Sequence, residues 1–219
     1  MYMAITVGRE NHLGLDNYFL QEGLAYRLTP FNFAEYGLID DNPNVHAIDS
    51  EKMYDNLMNK FKFGGVDTKG IYLDETVLRM CSSHRRMFGL LIAELIVEGK
   101  KDKALKALEY CEKVLPSYNI PHSYFSGSME LAYAWAQLGK KDQACAIFGQ
   151  MAKEASQYCQ YALSLDDDRL YASDFRTNMY ILQECAQALK ENGSKDGDQY
   201  EVSLKSYTTS YSARLGNGN

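Results

Sequence analysis

The sequence predicts a mainly α-helical fold with a small mixed α+β cap at the N-terminus. Two nearly identical stretches, GKKDKALKAL from Gly99 and GKKDQACAIF from Gly139, begin 40 residues apart. A period of about 20 to 50 residues is typical of stacked supersecondary units. From Leu73 onward, apolar residues also recur every three or four positions, as on one face of a helix. These observations predict antiparallel helical hairpins over most of the chain.

The first part of the predicted cap, which spans residues 1–72, contains a strand and a helix. YMAITVG alternates and is rich in β-branched residues, so it predicts a strand that ends at Gly8. Apolar residues at helical spacing predict a helix from about Asp16 to Leu28, which Pro30 ends. Because a lone strand leaves its backbone groups unpaired, we expect the first strand to pair with a short segment within Phe31–Ile48.

The second part of the cap is predicted to be a loop followed by a helix. Residues 32–49 are rich in turn-forming residues and predict a connecting loop, which could also contain another short strand. Ser50 is a suitable N-cap for the next helix, and the Gly64-Gly65 pair predicts its end. We expect the two helices of the cap to cover its small sheet.

The predicted helical-repeat region spans residues 73–215, and the last residues, 216–219, are predicted to fray. Its predicted helices cover about 74–98, 102–115, 125–138, 142–165 and 170–191, with a less regular one after 195. Each GKKD predicts a tight turn in which glycine adopts the left-handed conformation and aspartate caps the next helix. Gly193–Asp196 has the pattern of a third, altered copy.

Aligned on the turn glycine, these hairpins resemble the tetratricopeptide repeat. The positions that carry the resemblance are Phe88, Leu91, Leu95, Ala104, Leu108, Cys111 and Pro116 in one unit, and Leu131, Ala132, Trp135, Ala144 and Phe148 in the next. Ile92 and Ser128 depart from the repeat pattern, and no proline ends the second unit. The resemblance implies tetratricopeptide-like antiparallel hairpins in a right-handed stack, without the regularity of a full array.

A second resemblance covers most of the chain. The runs YMAITVGRENHLGLDNYFLQEGLAYRLTP, MYDNLMNKFKFGG and YLDETVLRMCSSHRRMFGLLIAELIVEGKKDKALKALEYCEKVLP are similar to the soluble C-terminal tail of a family of bacterial multi-spanning membrane proteins. That family, a domain of unknown function, is described as protein O-mannosyltransferase-like. The resemblance implies a module tethered at the extracytoplasmic (periplasmic) face of the inner membrane, with catalysis in a membrane-embedded half that supplies the catalytic acids.

Composition and motifs favour neither a cofactor nor a nucleic-acid partner. The net charge of −6 argues against nucleic-acid binding, and no apolar run approaches the length of a membrane span. The four histidines, His12, His46, His84 and His122, fit no metal-ligand spacing, so we expect no metal and no cofactor. The five cysteines form no CxxC pair and are expected to be buried free thiols.

Five residues are candidates for a partner-binding surface. Arg79, Arg85 and Arg86 form a basic cluster, and in a helical-repeat array Met129 and Tyr133 would also lie on the inner surface. The alternative for the arginines is pairing with acids of a neighbouring helix. Most of the 17 tyrosines are expected to pack in or near the core, and some could line a groove for a peptide or a glycan acceptor.

Two functions follow from the sequence. The first is a non-catalytic helical-repeat module that presents a surface to a protein or glycoprotein acceptor, and to the membrane-embedded half of its own protein. The second is a soluble glycan-acting enzyme on a helical scaffold, with paired acids such as Glu94 and Glu98. Acids in a deep pocket would favour the enzyme, whereas a shallow concave surface would favour the module.

Overall fold

The structure is a computed structural model that describes residues 1–39 and 46–216. It divides into two compact units, unit 1 from Met1 to Pro121 and unit 2 from His122 to Asn219. The mainly helical fold with a small sheet is confirmed. The predicted division after residue 72 stays a prediction, and most of the tail predicted to fray lies outside the described residues.

Unit 1 begins with four short strands that form one sheet. They are β1 (Tyr2–Ala4), β2 (Phe19–Gln21), β3 (Ala25–Leu28) and β4 (Ala47–Ile48). Their order in the sheet is β1-β3-β2-β4, in which only the β2–β4 pair is parallel. The sheet is therefore built mainly around the β2–β3 hairpin.

The helix predicted over residues 16–28 is wrong, because this segment forms the β2–β3 hairpin after one 3-10 turn at Asp16–Tyr18. Gly23 has a φ of 121°, which a residue with a side chain rarely adopts, and it turns the chain between the two strands. The Glu22 N–H closes the turn on the Ala25 carbonyl at 3.0 Å. The spacing of the apolar residues is compatible with a helix and with a hairpin, and the turn at Gly23 favours the hairpin.

The predicted partner of the first strand is also wrong. β1 pairs with β3, with Tyr2 opposite Arg27, and makes no strand pairing within the described part of Phe31–Ile48. A short strand does occur in the predicted loop, since β4 pairs with β2 through Leu20 and Ala47. The part of that loop from residue 40 to 45 lies outside the described residues.

The helices of unit 1 follow the sheet. They are α1 (Ser50–Asp55), which continues as a π-helical turn over Asn56–Lys60, then α2 (Glu75–Val97) and α3 (Lys101–Val114). The N-cap of α1 is Asp49, whose carboxylate accepts the Lys52 N–H at 2.9 Å, so the predicted Ser50 cap is wrong by one residue. The predicted end at Gly64-Gly65 is also wrong, because the helix ends before Phe61.

Unit 2 is helical in the part that the structure describes. Its helices are α4 (Ser128–Gln137), α5 (Lys141–Leu163), α6 (Asp167–Ala172), α7 (Phe175–Glu191) and α8 (Asp196–Gly216). α5 packs against α4, α7 and α8, and α7 also packs against α8. The long helix predicted from residue 170 is split, because Ser173 is extended between α6 and α7. The helix predicted from residue 125 begins at Ser128 instead, after a 3-10 turn.

Three helices end in the same Schellman turn. Gly99, Gly139 and Gly193 have φ angles of 76°, 77° and 86°, which confirms the predicted left-handed glycines. In each turn the residue after glycine donates its N–H to the carbonyl five residues earlier, as Lys100 does to Leu95 at 2.8 Å. These bonds satisfy carbonyls that the end of a helix would otherwise leave unpaired.

The predicted caps on the helices that follow the GKKD turns are wrong. Lys100 and Lys140 occupy the cap positions of α3 and α5 and make no side-chain capping bond. Asp102 and Asp142 lie in the first turn of each helix. A carboxylate there still interacts favourably with the helix dipole, so the aspartates keep an electrostatic contribution without acting as caps.

Substituting Gly139 tests the left-handed turn. Gly139→Ala is expected to lower the free energy of unfolding by about 1–2 kcal/mol, because a Cβ atom disfavours this conformation. An ideal Cβ at this position meets no atom within 4 Å, so the loss comes from the backbone conformation alone. Thermal and chemical denaturation would measure it.

Gly149 provides the matched control. It lies within α5, and its Cβ position is equally open. Gly149→Ala should raise stability by roughly 0.5–1 kcal/mol, since alanine favours a helix interior. Equal effects of the two substitutions would contradict the left-handed turn at Gly139.

Candidate functional site

The structure distributes the predicted surface residues over both units. Arg79 and Arg86 are exposed on α2 of unit 1. In unit 2, Tyr133 on α4 is 39% exposed, but Met129 is buried, so its assignment to a surface is wrong. The two groups lie in different compact units.

Arg85 is fully buried, so its assignment to a partner surface is also wrong. Its guanidinium donates hydrogen bonds to the carbonyls of Leu115 at 3.2 Å, Ile120 at 2.7 Å and Pro121 at 3.1 Å. These carbonyls belong to the segment that leaves the C-terminal end of α3. Arg85 thus ties α2 to that segment and acts as part of the core of unit 1.

Burial lowers the pKa of Arg85, while Cys111 and Glu112 of α3 act in the opposite direction. Three hydrogen bonds of Arg85 go to backbone carbonyls, and Glu112 on the neighbouring helix contributes an attractive charge. The alternative of pairing with acids of a neighbouring helix stays a prediction. The sequence pattern around Arg85 indicates that this residue is buried. Arg85 follows Cys81 by four residues and precedes Phe88 by three, so it lies on the apolar stripe of α2.

Unit 2 contains a cavity of about 380 Å³, which we call the α5–α7 pocket. Its floor is apolar, and its walls and rim are aromatic and polar. The lining residues are Ser123, Tyr124, Phe125, Met151, Glu154, Ala155, Asp174, Thr177, Asn178 and Ile181. Small-molecule and side-chain binding sites typically combine an apolar body with a few placed polar groups in this way.

The aromatic wall of the pocket comes from a tight turn before α4. Ser126 holds the turn, because its Oγ accepts the Ser123 N–H at 3.1 Å and donates to the Ser123 carbonyl at 2.8 Å. Gly127, with a φ of 80°, then allows α4 to begin. The turn places the Tyr124 and Phe125 rings edge to face, 5.2 Å apart, and Phe125 is 61% exposed.

The polar rim comes from α5 and from the start of α7. Glu154 projects from α5, and its carboxylate accepts a 3.4 Å hydrogen bond from Gln150. Asp174 is the N-cap residue of α7, but its side chain makes no capping bond. Its carbonyl instead accepts the amide of Asn178 at 3.0 Å. The described lining therefore carries two carboxylates and no basic side chain.

A second tyrosine supports the wall from α7. The rings of Tyr124 and Tyr180 meet edge to face at 6.1 Å. Burial raises the pKa of Tyr124 to about 12, and the neighbouring Tyr180 and the charge of Glu184 add to this shift. Burial also raises the pKa of Tyr133, with Glu184 next in effect. Tyr124 and Tyr133 are thus neutral phenols at physiological pH.

Unit 1 contains an open groove of about 810 Å³ between its sheet and α2. Leu20 and Tyr26 line it from the sheet, and Leu90, Glu94 and Val97 line it from α2. Burial raises the pKa of Glu94, and the charge of Glu98 adds to the shift. Among the described residues, the groove lining therefore holds one carboxyl in a largely apolar setting.

Glu98, the second acid of the predicted pair, has a different environment. Its carboxylate lies 2.8 Å from Lys100 Nζ and accepts a 2.7 Å hydrogen bond from Ser50. Lys100 and Ser50 lower its pKa, with Lys100 the larger cause. Glu98 thus connects the start of α1 to the α2–α3 turn, and it does not line the groove.

Two histidines that are distant in sequence meet beside the sheet. His12 Nδ1 lies 2.7 Å from the Asp16 carboxylate, and His46 Nδ1 lies 3.3 Å from the Asp16 carbonyl. The other ring nitrogen of His12 faces the Val7 carbonyl at 3.2 Å. Both ring nitrogens of His12 thus face hydrogen-bond acceptors, and these contacts fix the orientation of the ring. Burial lowers the pKa of His46.

The described residues offer few other kinds of site. No group of three or more metal-ligating side chains occurs among them. The five cysteines are free, and all but the half-buried Cys145 are buried, as expected. No helix in the described part of the chain combines the length and apolar character that a membrane span requires.

No protein-family model, curated protein or solved structure matches the chain. The two resemblances that the sequence suggests, to the tetratricopeptide repeat and to the membrane-protein tail, therefore stay proposals.

Arg85→Met tests the buried guanidinium. The variant is expected to lose about 3 kcal/mol or more of unfolding free energy, because it leaves the buried carbonyls of Leu115 and Ile120 without the arginine donor. Urea denaturation would measure the loss. Arg79→Met removes an exposed arginine from the same helix and should change stability by no more than about 0.5 kcal/mol. A similar small effect at Arg85 would contradict its role in the core.

Glu94→Gln and Glu98→Gln should have opposite effects on stability. A raised pKa means that ionisation of Glu94 destabilises the folded state, so glutamine should raise the unfolding free energy at pH 7. This gain should vanish below the ordinary glutamate pKa of about 4.3, where both states are protonated.

Glu98 has a lowered pKa, so its charge stabilises the folded state above the ordinary pKa and ceases to do so as the pH falls. Glu98→Gln should therefore lower stability at pH 7, with a smaller effect in acid. Denaturation of both variants at pH 7 and in acid measures the four values. Loss of stability in Glu94→Gln at pH 7 would contradict the burial of its charge.

Proposed function

We propose that the chain is a non-catalytic helical-repeat module that binds a protein partner or glycoprotein acceptor through the α5–α7 pocket of unit 2. The observation that carries this proposal is the composition of the pocket. Two aromatic side chains form one wall, the floor is apolar, and the polar groups lie at the rim. Tyrosine and phenylalanine anchors beside such a floor are typical of protein-binding surfaces.

Tetratricopeptide-like hairpins are part of this proposal. The three Schellman turns with the same hydrogen bonds support it, as does the pairing of α4 with α5 and of α7 with α8. A right-handed stack of these hairpins is proposed from the sequence resemblance. Within unit 2, the aromatic turn before α4 contributes to a pocket that α5 and α7 also line.

The cellular setting is also proposed from resemblance. The module would be tethered at the extracytoplasmic face of a bacterial inner membrane and would face the membrane-embedded half of its own protein. It would need no metal and no cofactor, and the net charge of −6 favours protein over nucleic acid as the partner. A natural gene that encodes this chain without any spanning segment would contradict the membrane part of the proposal.

A second candidate function is the glycan-acting enzyme. The specific observation in its favour is that the pKa values of Glu94 and Glu98 move in opposite directions, as in the acid and base of many hydrolases. However, the bonds of Glu98 to Lys100 and Ser50 give that carboxylate a structural role. Glu154 and Asp174 of the α5–α7 pocket are both exposed, so their carboxylates lie at an open rim and not deep inside the pocket. The binding module is therefore the better supported function. Glycan hydrolysis that Glu94→Gln abolishes without loss of folding would reverse this order.

Site-specific photo-cross-linking tests the binding proposal. The photoreactive amino acid p-benzoylphenylalanine would replace Phe125 in the pocket wall, in cells that carry the natural gene. Tyr161 on α5 is a matched control, because it is 59% exposed and lies outside the pocket lining. We expect a defined cross-linked partner from position 125 and none from position 161. Equal products from both positions, or none from position 125, would contradict the proposal.

A further inference from the structure

The charged side chains that line the α5–α7 pocket are all acidic in the part of the chain that the structure describes. Glu154 and Asp174 line the rim, and the other polar lining residues, Ser123, Thr177 and Asn178, are neutral. No Lys, Arg or His belongs to the described lining. Within the described part of the chain neither carboxylate forms an ion pair, and each places a negative charge next to an apolar floor. The rim therefore attracts a positive group.

The wall of the pocket suits the same kind of group. The Tyr124 and Phe125 rings present aromatic surface, and Phe125 is more than half exposed. Aromatic faces attract ammonium and guanidinium groups, and the attraction increases when the cation is partly removed from water. The floor of Met151 and Ile181 suits the methylene stem that carries such a cation in a side chain.

We propose that the α5–α7 pocket receives a lysine or arginine side chain of the partner. The stem would lie on the apolar floor, and the charged end would lie between the aromatic wall and the two carboxylates. The inference rests on the proposed function, which it makes specific by giving the partner a basic side chain at its contact point. The segment around that side chain would be part of a protein.

A sugar ring is the competing occupant, because it also stacks on aromatic rings and accepts and donates hydrogen bonds at a polar rim. A neutral sugar has no net charge that two carboxylates could attract, whereas a cation is attracted to both of them. The one-sided charge therefore favours the basic side chain. Binding of a sugar is one of the outcomes that the test below distinguishes.

The two carboxylates should contribute unequally. Asp174 lies at the N-terminus of α7, where the positive end of the helix dipole offsets part of its charge. Glu154 lies in the interior of α5, away from both helix ends, so no such offset applies. Glu154 is thus expected to contribute more of the attraction.

Nuclear magnetic resonance titration of the full chain tests the inference. The probes are Nα-acetyl-lysine N-methylamide, the corresponding arginine compound, the neutral glutamine compound, and methyl α-D-glucopyranoside. Lysine or arginine should shift the amide signals of Tyr124, Phe125, Thr177 and Asn178, and added salt should weaken the effect because it screens the charges. Equal shifts from the glutamine compound, or pocket shifts from the sugar alone, would overturn the inference.

Conservative variants then assign the effect to the carboxylates. Glu154→Gln and Asp174→Asn should each weaken binding of the basic probe by a factor of about two to five, with the larger effect at Glu154. Asparagine remains a good N-cap residue, so Asp174→Asn should retain the start of α7. Unchanged affinity in both variants would overturn the inference.

Glu191→Gln is the matched control for Glu154→Gln. Each glutamate accepts a hydrogen bond from a glutamine four residues earlier, and each substitution removes one charge, but Glu191 lies outside the pocket. It should leave binding of the basic probe unchanged. Equal losses from the two substitutions would show a general charge effect and would overturn the inference.

The two proposals can fail separately. A partner cross-linked through position 125, together with a pocket that does not distinguish lysine from glutamine, would retain the binding module and reject the basic side chain. Charge-selective probe binding without any cross-linked partner would retain the basic site and reject the proposed function.

Discussion

The helical part of each unit depends on one backbone constraint, a helix that ends in a left-handed glycine. Gly99, Gly139 and Gly193 each adopt this conformation. The N–H of each glycine and the N–H of the residue after it donate to carbonyls of the helix just completed. The next helix then starts within a few residues, so that α2 packs on α3, α4 on α5, and α7 on α8. A side chain at these positions would resist the turn, so the pairing of the helices depends on the absence of a Cβ atom.

Charged groups in the two units have contrasting uses. In unit 1, Arg85 is buried and gives its hydrogen bonds to backbone carbonyls, which makes it a structural element. In unit 2, Glu154 and Asp174 lie at the rim of a cavity and keep their carboxylates accessible. The same distinction separates Glu98, whose carboxylate joins α1 to the α2–α3 turn, from Glu94, which lines a groove. Whether a charged side chain is available to bind a ligand therefore depends more on its burial and its ion pairs than on its residue type.

Much of the helical fold could be predicted from the sequence, because glycine turns and apolar periodicity are local signals. The hairpin around Gly23 could not be separated from a helix, since the spacing of its apolar residues suits both structures. Arg85 lay on an apolar stripe, but its carbonyl partners come from a loop about 30 residues later. The α5–α7 pocket could not be predicted from the sequence. Glu154 lies in α5 and Asp174 at the start of α7, and only the folded structure shows that the two line one cavity. Of the predicted surface residues, Arg79, Arg86 and Tyr133 are exposed, and none of them lines this pocket.

Intermolecular nuclear Overhauser effects between the chain and isotope-labelled Nα-acetyl-lysine N-methylamide test the central claim most directly, because they report which atoms touch. If the pocket binds a basic side chain, the lysine ε-methylene protons should show contacts with the ring protons of Tyr124 and Phe125. The inner methylenes should show contacts with the side chains of Met151 and Ile181. Contacts confined to residues outside the pocket, or contacts equally strong with the neutral glutamine compound, would contradict the account.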